Sequence, residues 1–143
     1  MTAQAPRIPT FESLQAPAGW QVIDFISDLH LQAGEPLNFR ALHAYLDATP
    51  ADAVFILGDL FEVWVGDDIA ALPGFEQDCA NVLARAAARF PLFFMAGNRD
   101  FLVAHTFLHA ARMRLLQDTP GLAFAGARFP LQLACDICRD EVA

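Results

Sequence analysis

Three largely apolar runs, Val22 to Ser27, Ala53 to Leu57 and Leu92 to Met95, stand out along the chain, with helical spacing between them. They lack the strict polar alternation of a half-exposed strand, so they read as strands of a parallel sheet buried on both faces. After the first run, Phe39, Leu42 and Leu46 recur on one helical face, predicting a helix from a cap at Asn38 to about Ala48, ended by Pro50. After the second, Phe75, Cys79, Val82, Leu83 and Ala86 predict a helix opened by Pro73, running to about Arg89 and stopped by Pro91. A third helix is expected near Val103 to Arg112. Leu115 to Leu116, Gly121 to Phe124 and Arg128 to Leu133 are expected as shorter, hairpin-like strands. Strands alternating with helices predict βαβ units with right-handed crossovers. Residues 1–19 hold Pro6, Pro9, Pro17 and Gly19 without periodicity and read as a flexible leader, leaving 20–143 as the domain.

Composition narrows the function classes. The 143 residues are 55% hydrophobic with thirteen Phe, enough for a packed core and too apolar for a disordered chain. A net charge of −8 argues against a nucleic-acid backbone as partner. It leaves a phosphorylated ligand open, because a bound cation inverts the local field. The N-terminus lacks a basic segment followed by an apolar one, and no stretch approaches the length of a membrane span, which points to the cytoplasm. Three cysteines, Cys79, Cys135 and Cys138, fit reduced thiols; the Cys135–Cys138 pair has no second pair or following histidine to complete a zinc site.

The chemistry sits just past the three runs, in FISDLHL (Phe25 to Leu31), FILGDLFEVWVGDD (Phe55 to Asp68) and FFMAGNRDF (Phe93 to Phe101). Asp28, His30, Asp59 and Asn98 are residue types that hold divalent metals, and parallel strands deliver their C-terminal loops to one edge. Asp28 and His30 are two apart and, if the segment is extended, point the same way. Asp59 can bridge two cations, Asn98 can offer an amide oxygen, and Arg99 can fork onto a phosphate. Taken singly, each admits a plain turn or cap role. Together at one edge they favour a two-metal site, which suits hydrolysis of phosphate esters. His43 is expected on the polar side of its helix, and His105 and His109, four apart, lack the acidic residue of a zinc-protease motif.

Asp28-x-His30, Gly58-Asp59 and Gly97-Asn98-Arg99-Asp100 together resemble the motifs of the calcineurin-like metallophosphoesterases. Arginine at 99 and the stretch GDLFEVWVGDD resemble the branch that hydrolyses UDP-2,3-diacylglucosamine to lipid X and UMP in lipid A biosynthesis of Gram-negative bacteria. The resemblance implies the N-terminal half of an αββα sandwich and a pair of Mn2+ ions. Asp28, His30 and Asp59 would hold one ion, and Asp59 and Asn98 the other. Asn98, Arg99 and Glu141 would contact the substrate. No catalytic side chain is implied apart from a metal-activated water attacking the α-phosphorus. The implied partner is a lipid-linked nucleotide diphosphate, met by the complete protein at the inner membrane surface.

The resemblance fails in its later motifs. A His-Gly-Asp is expected near residue 133, where this chain has Leu133 and Ala134, and Asp136 follows. The later Gly-His-x-His motif and helical cap would lie beyond Ala143. A chain lacking those ligands is expected to be weak or inactive, the truncated or frameshifted relative of an active hydrolase. Two other readings stay open: another calcineurin-like phosphoesterase acting on small phosphoesters, or a non-catalytic remnant.

Overall fold

A computed structural model of the chain describes residues 13–62, 74–95, 105–116 and 121–130. Strands β1 (Ser13–Gln15), β2 (Ile23–Ile26), β3 (Ala53–Leu57), β4 (Leu92–Met95), β5 (Arg114–Leu116), β6 (Gly121–Phe124) and β7 (Ala127–Pro130) alternate with helices α1 (Pro36–Ala48), α2 (Phe75–Ala87) and α3 (His105–Ala110). β2, β3, β4 and β5 form one parallel sheet in chain order, and β1, β6 and β7 form a second. In the second, β1 runs parallel to β6, and β6 antiparallel to β7.

The two-residue period of β3 and β4 sorts their side chains into two cores. Val54, Ile56, Leu92 and Phe94 face the helices and pack with Leu42, Leu46, Val82, Leu83 and Phe107. Ala53, Phe55, Phe93 and Met95 face the smaller sheet and pack with Leu122, Leu116 and Trp20. The result is a helical layer, a four-stranded sheet and a three-stranded sheet, a partial αββα sandwich. Phe25, Phe55 and Phe93 form a row of rings across the sheet, with centroids 5.2 and 4.5 Å apart, and Trp20 meets Phe93 edge-on. Phe25, on edge strand β2, remains 45% exposed.

Several details depart from expectation. Ser13–Gln15, expected within a loose leader, form β1 against β6. α1 begins two residues before Asn38: Pro36 takes the first turn, where its missing N–H is not needed. The Asn38 amide donates instead to the Leu29 carbonyl at 3.0 Å. β5 is no hairpin arm but joins β4 in the main sheet. His43 lies half-buried, 3.3 Å from Asp47 one turn on. Pro73, residues 131–133 and the Cys135–Cys138 pair lie outside the described residues. Cys79 is buried in α2, and burial, then Glu76 and Asp78, pushes its thiol up to about 12, so it is inert near neutrality.

Polar contacts fasten α1 to the sheet. Asp24 on β2 accepts hydrogen bonds from Tyr45 Oη at 2.5 Å and Thr49 Oγ1 at 2.6 Å, and burial followed by this carboxylate pushes the Tyr45 phenol up to about 12. Arg89 donates to the Leu46 carbonyl at 2.8 Å, covering a free carbonyl at the end of α1. Asp24→Ala strips both hydroxyls of a charged acceptor and is expected to destabilise the fold by about 2 kcal/mol in urea melts.

Asp52 fastens the start of β2 by accepting from the backbone N–H groups of Gln21 and Val22 at 2.7 and 3.0 Å. The Val22 bond first, then that from Gln21, lowers its pKa. A carboxylate lowered in the folded state stabilises above its unfolded pKa, and that contribution is lost as pH falls through the folded value. Asp52→Asn is therefore expected to flatten the acid limb of a melting-temperature profile between neutrality and pH 3 while leaving the alkaline limb unchanged.

Candidate metal centre

β2, β3 and β4 run parallel, so their C-terminal ends share one edge. The chain past β2 and the chain past β3 continue side by side beyond the last regular pairs. His30 N–H donates to the Asp59 carbonyl at 3.0 Å, Leu31 N–H to that of Leu60 at 2.9 Å, and Glu62 N–H to that of Leu31 at 3.1 Å. Leu31 and Phe61 form a parallel bridge. Leu31, Leu60 and Phe61 are buried beneath it, and Phe61 meets Phe107 of α3 edge-on at 5.3 Å. Apolar residues thus root both loops while the polar ones between them face the edge.

That zipper brings together Asp28, His30 and Asp59, whose donor atoms lie within 4.8 Å of one another. Their adjacency has a different origin from the extended spacing expected. Asp28, His30 and Asp59 have φ of +56°, +47° and +51°, so the Asp28–His30 segment is coiled through left-handed residues. Each such non-glycine residue stores roughly 1–3 kcal/mol, which surrounding contacts must hold. Gly58, with φ of +83°, makes the turn out of β3.

Asp59 is buried, His30 is half-buried and Asp28 is exposed. Ser27 Oγ donates to Asp28 Oδ2 at 3.1 Å, and His30 Nε2 lies 3.7 Å from Asp28 Oδ1. Two donors on one ion lie at most about 4–5 Å apart, given bonds of roughly 2.0–2.6 Å. Two carboxylates and an imidazole at the observed spacing therefore fit one divalent cation. Asn98, Arg99 and Glu141 lie outside the described residues. Glu62 escaped the sequence reading: its Oε2 lies 2.9 Å from His30 Nδ1. The only signal was an acid three residues past Asp59 amid apolar neighbours, which reads equally as a solvated turn.

Beside Asp28 an apolar cavity of about 270 Å³ runs between β2 and α1, lined by Ile26, Leu29, Leu42 and Tyr45. No helix among the described residues is long and apolar enough to cross a membrane.

Comparison with known proteins agrees with this arrangement. The family model for calcineurin-like phosphoesterase matches residues 22–133, which include the whole four-stranded sheet, β6 and β7 of the smaller one, and the metal-type cluster. The chain is 41% identical over 116 residues to a UDP-2,3-diacylglucosamine hydrolase of Shewanella sp. strain W3-18-1, covering 80% of this chain and 47% of that one. Proteins of the same name from Shewanella oneidensis and Shewanella loihica are 40% and 46% identical over 80% and 66% of this chain, and 48% and 39% of their own. The chain thus spans about half the length of the curated relatives it matches. Among solved structures, a protein of unknown function from Aquifex aeolicus matches with a TM-score of 0.48 and 16% identity, over 76% of this chain and 57% of that one, too distant to add to the assignment. Matched through most of its length by one family, and by relatives that share one name, the chain belongs to the calcineurin-like phosphoesterases.

Proposed function

We propose that this chain carries the metal-binding N-terminal half of a diphosphatase acting on UDP-2,3-diacylglucosamine, with lipid X and UMP as products. One observation carries the reading: Asp28, His30 and Asp59 converge at the C-terminal edge of the sheet, in a chain whose relatives bear that enzyme's name. Asp28, His30 and Asp59 hold one cation, and Asp59 with Asn98 a second, manganese being the ion proposed. Bound divalent cations lower the pKa of water and neutralise charge on phosphate oxygens.

The protein's own part is placement. Asp59, buried at the strand end, gives a fixed carboxylate with two oxygens to share. Arg99 offers a planar fork to a phosphate oxygen, and Asn98 and Glu141 complete the substrate side. The partner is a lipid-linked nucleotide diphosphate, reached from the cytoplasmic face by peripheral contact of the complete protein with the inner membrane.

A second reading, cation binding without turnover, is favoured by Leu133 and Ala134 standing where the family motif has histidine. One assay separates the readings. The chain is incubated with Mn2+ and either UDP-2,3-diacylglucosamine or a generic phosphodiester. Manganese-dependent UMP release, absent in Asp59→Ala, supports the diphosphatase. Turnover of the generic ester alone points to another phosphoesterase, and manganese binding with neither turnover points to the non-catalytic reading.

A further inference from the structure

We propose that Glu62 is a positioning residue for His30, fixing which ring nitrogen faces the cation. The proposal rests on the reading that Asp28, His30 and Asp59 form a cation site. The imidazole lies between two carboxylates. Its Nε2 sits 3.7 Å from Asp28 Oδ1, on the side of the donor cluster, and its Nδ1 sits 2.9 Å from Glu62 Oε2. Nδ1 is buried, and no well-directed hydrogen bond reaches it among the described residues, although the carboxylate oxygen is within reach. Such contacts are often loose before a ligand arrives and tighten when it binds.

The chemistry follows from the two ring nitrogens. A neutral imidazole carries one proton, and only the other nitrogen can donate a lone pair to a cation. A carboxylate beside Nδ1 keeps the proton there, leaves the Nε2 lone pair toward Asp28, and strengthens it as a donor. The backbone holds Glu62 in place for this. Its N–H is bonded to the Leu31 carbonyl, one residue past His30, and the neighbouring Phe61 is buried. Glu62 is outside the metal-type cluster itself, so it acts through His30. The side chain is 31% exposed, so its removal leaves no large core void.

The test is a Mn2+ titration by calorimetry of the whole chain, wild type beside Glu62→Ala, Glu62→Gln and Asp59→Ala. It is paired with thermal melts without metal, and with nitrogen-15 spectra of His30 with Zn2+ as a diamagnetic ion. Glu62→Ala is expected to bind about 10- to 100-fold more weakly, the range typical of lost outer partners of metal-bound histidines. Glu62→Gln, which keeps an acceptor without the charge, should fall between Glu62→Ala and wild type. The metal-free melting temperatures of wild type and the two Glu62 variants should stay together, and His30 should lose its single tautomer in Glu62→Ala. Undiminished affinity and an unchanged tautomer in Glu62→Ala, beside a weakened Asp59→Ala, would overturn the role of Glu62 alone. Equal binding by Asp59→Ala and wild type would overturn the cation site, and the role of Glu62 with it.

Discussion

Asp59→Ala is expected to weaken Mn2+ binding more than about 100-fold, beyond the range set by loss of an outer partner. Three features make this position the most sensitive. Its carboxylate is the buried one of the two in the cluster, so water is poorly placed to substitute for it. Its backbone carbonyl also anchors His30 through a 3.0 Å hydrogen bond, so the two loops meet at this residue. Its left-handed φ of +51° suits alanine poorly, so some loss of fold stability should accompany the loss of affinity. Asp59→Asn separates these effects, since asparagine tolerates that backbone and has nearly the same shape. Calorimetric titration should find both variants weakened, whereas thermal melts without metal should find only the alanine destabilised. Undiminished affinity in Asp59→Asn would show that the carboxylate is not a ligand.

Phe94→Ala should be the most destabilising single substitution in the sheet, by about 3–5 kcal/mol. Phe94 is wholly buried at the centre of β4, facing the helical layer. Removing the ring leaves a void beneath α2 and α3 that these short helices cannot close without losing their other contacts. Domains of this size hold only about 5–15 kcal/mol in total, so the variant should melt far earlier or fail to fold. Phe25→Ala is the internal control: its ring is 45% exposed, so urea melts should show a loss nearer 1 kcal/mol. Equal losses in the two variants would mean that the helix-facing core carries less of the stability than its packing implies.

Much of this architecture could be read directly. β3 and β4 match their expected limits because uninterrupted apolar runs that start after Asp52 or Pro91 and lead into a glycine leave few other assignments. The α2 stripe from Cys79 through Ala86 was equally plain, since helical spacing is a local property. β1 was hidden because its three residues show no period and gain their structure only from β6, over a hundred residues away. Asp28, His30 and Asp59 could be chosen by residue type and place, yet their backbone could not be foreseen: two residues apart suggested a pleat, and the chain coils instead. Glu62 was lost for the same reason as β1, because its contact with His30 crosses between loops that only the folded sheet sets side by side.

The row of rings across the main sheet bears on how the molecule behaves in a crowded solution. It runs from Phe93, covered by Trp20, to Phe25 at the rim, where Val22 is also exposed and β2 has one strand neighbour among the described residues. Two copies could meet there rim to rim, extending the sheet and hiding the rings. A net charge of −8 on each copy opposes that approach. The opposition reaches only about 10 Å at 0.1 M salt and about 3 Å at 1 M. The colloidal stability of the chain should therefore be governed by ionic strength, with clustering increased by added sodium chloride and relieved by a lysine at position 25.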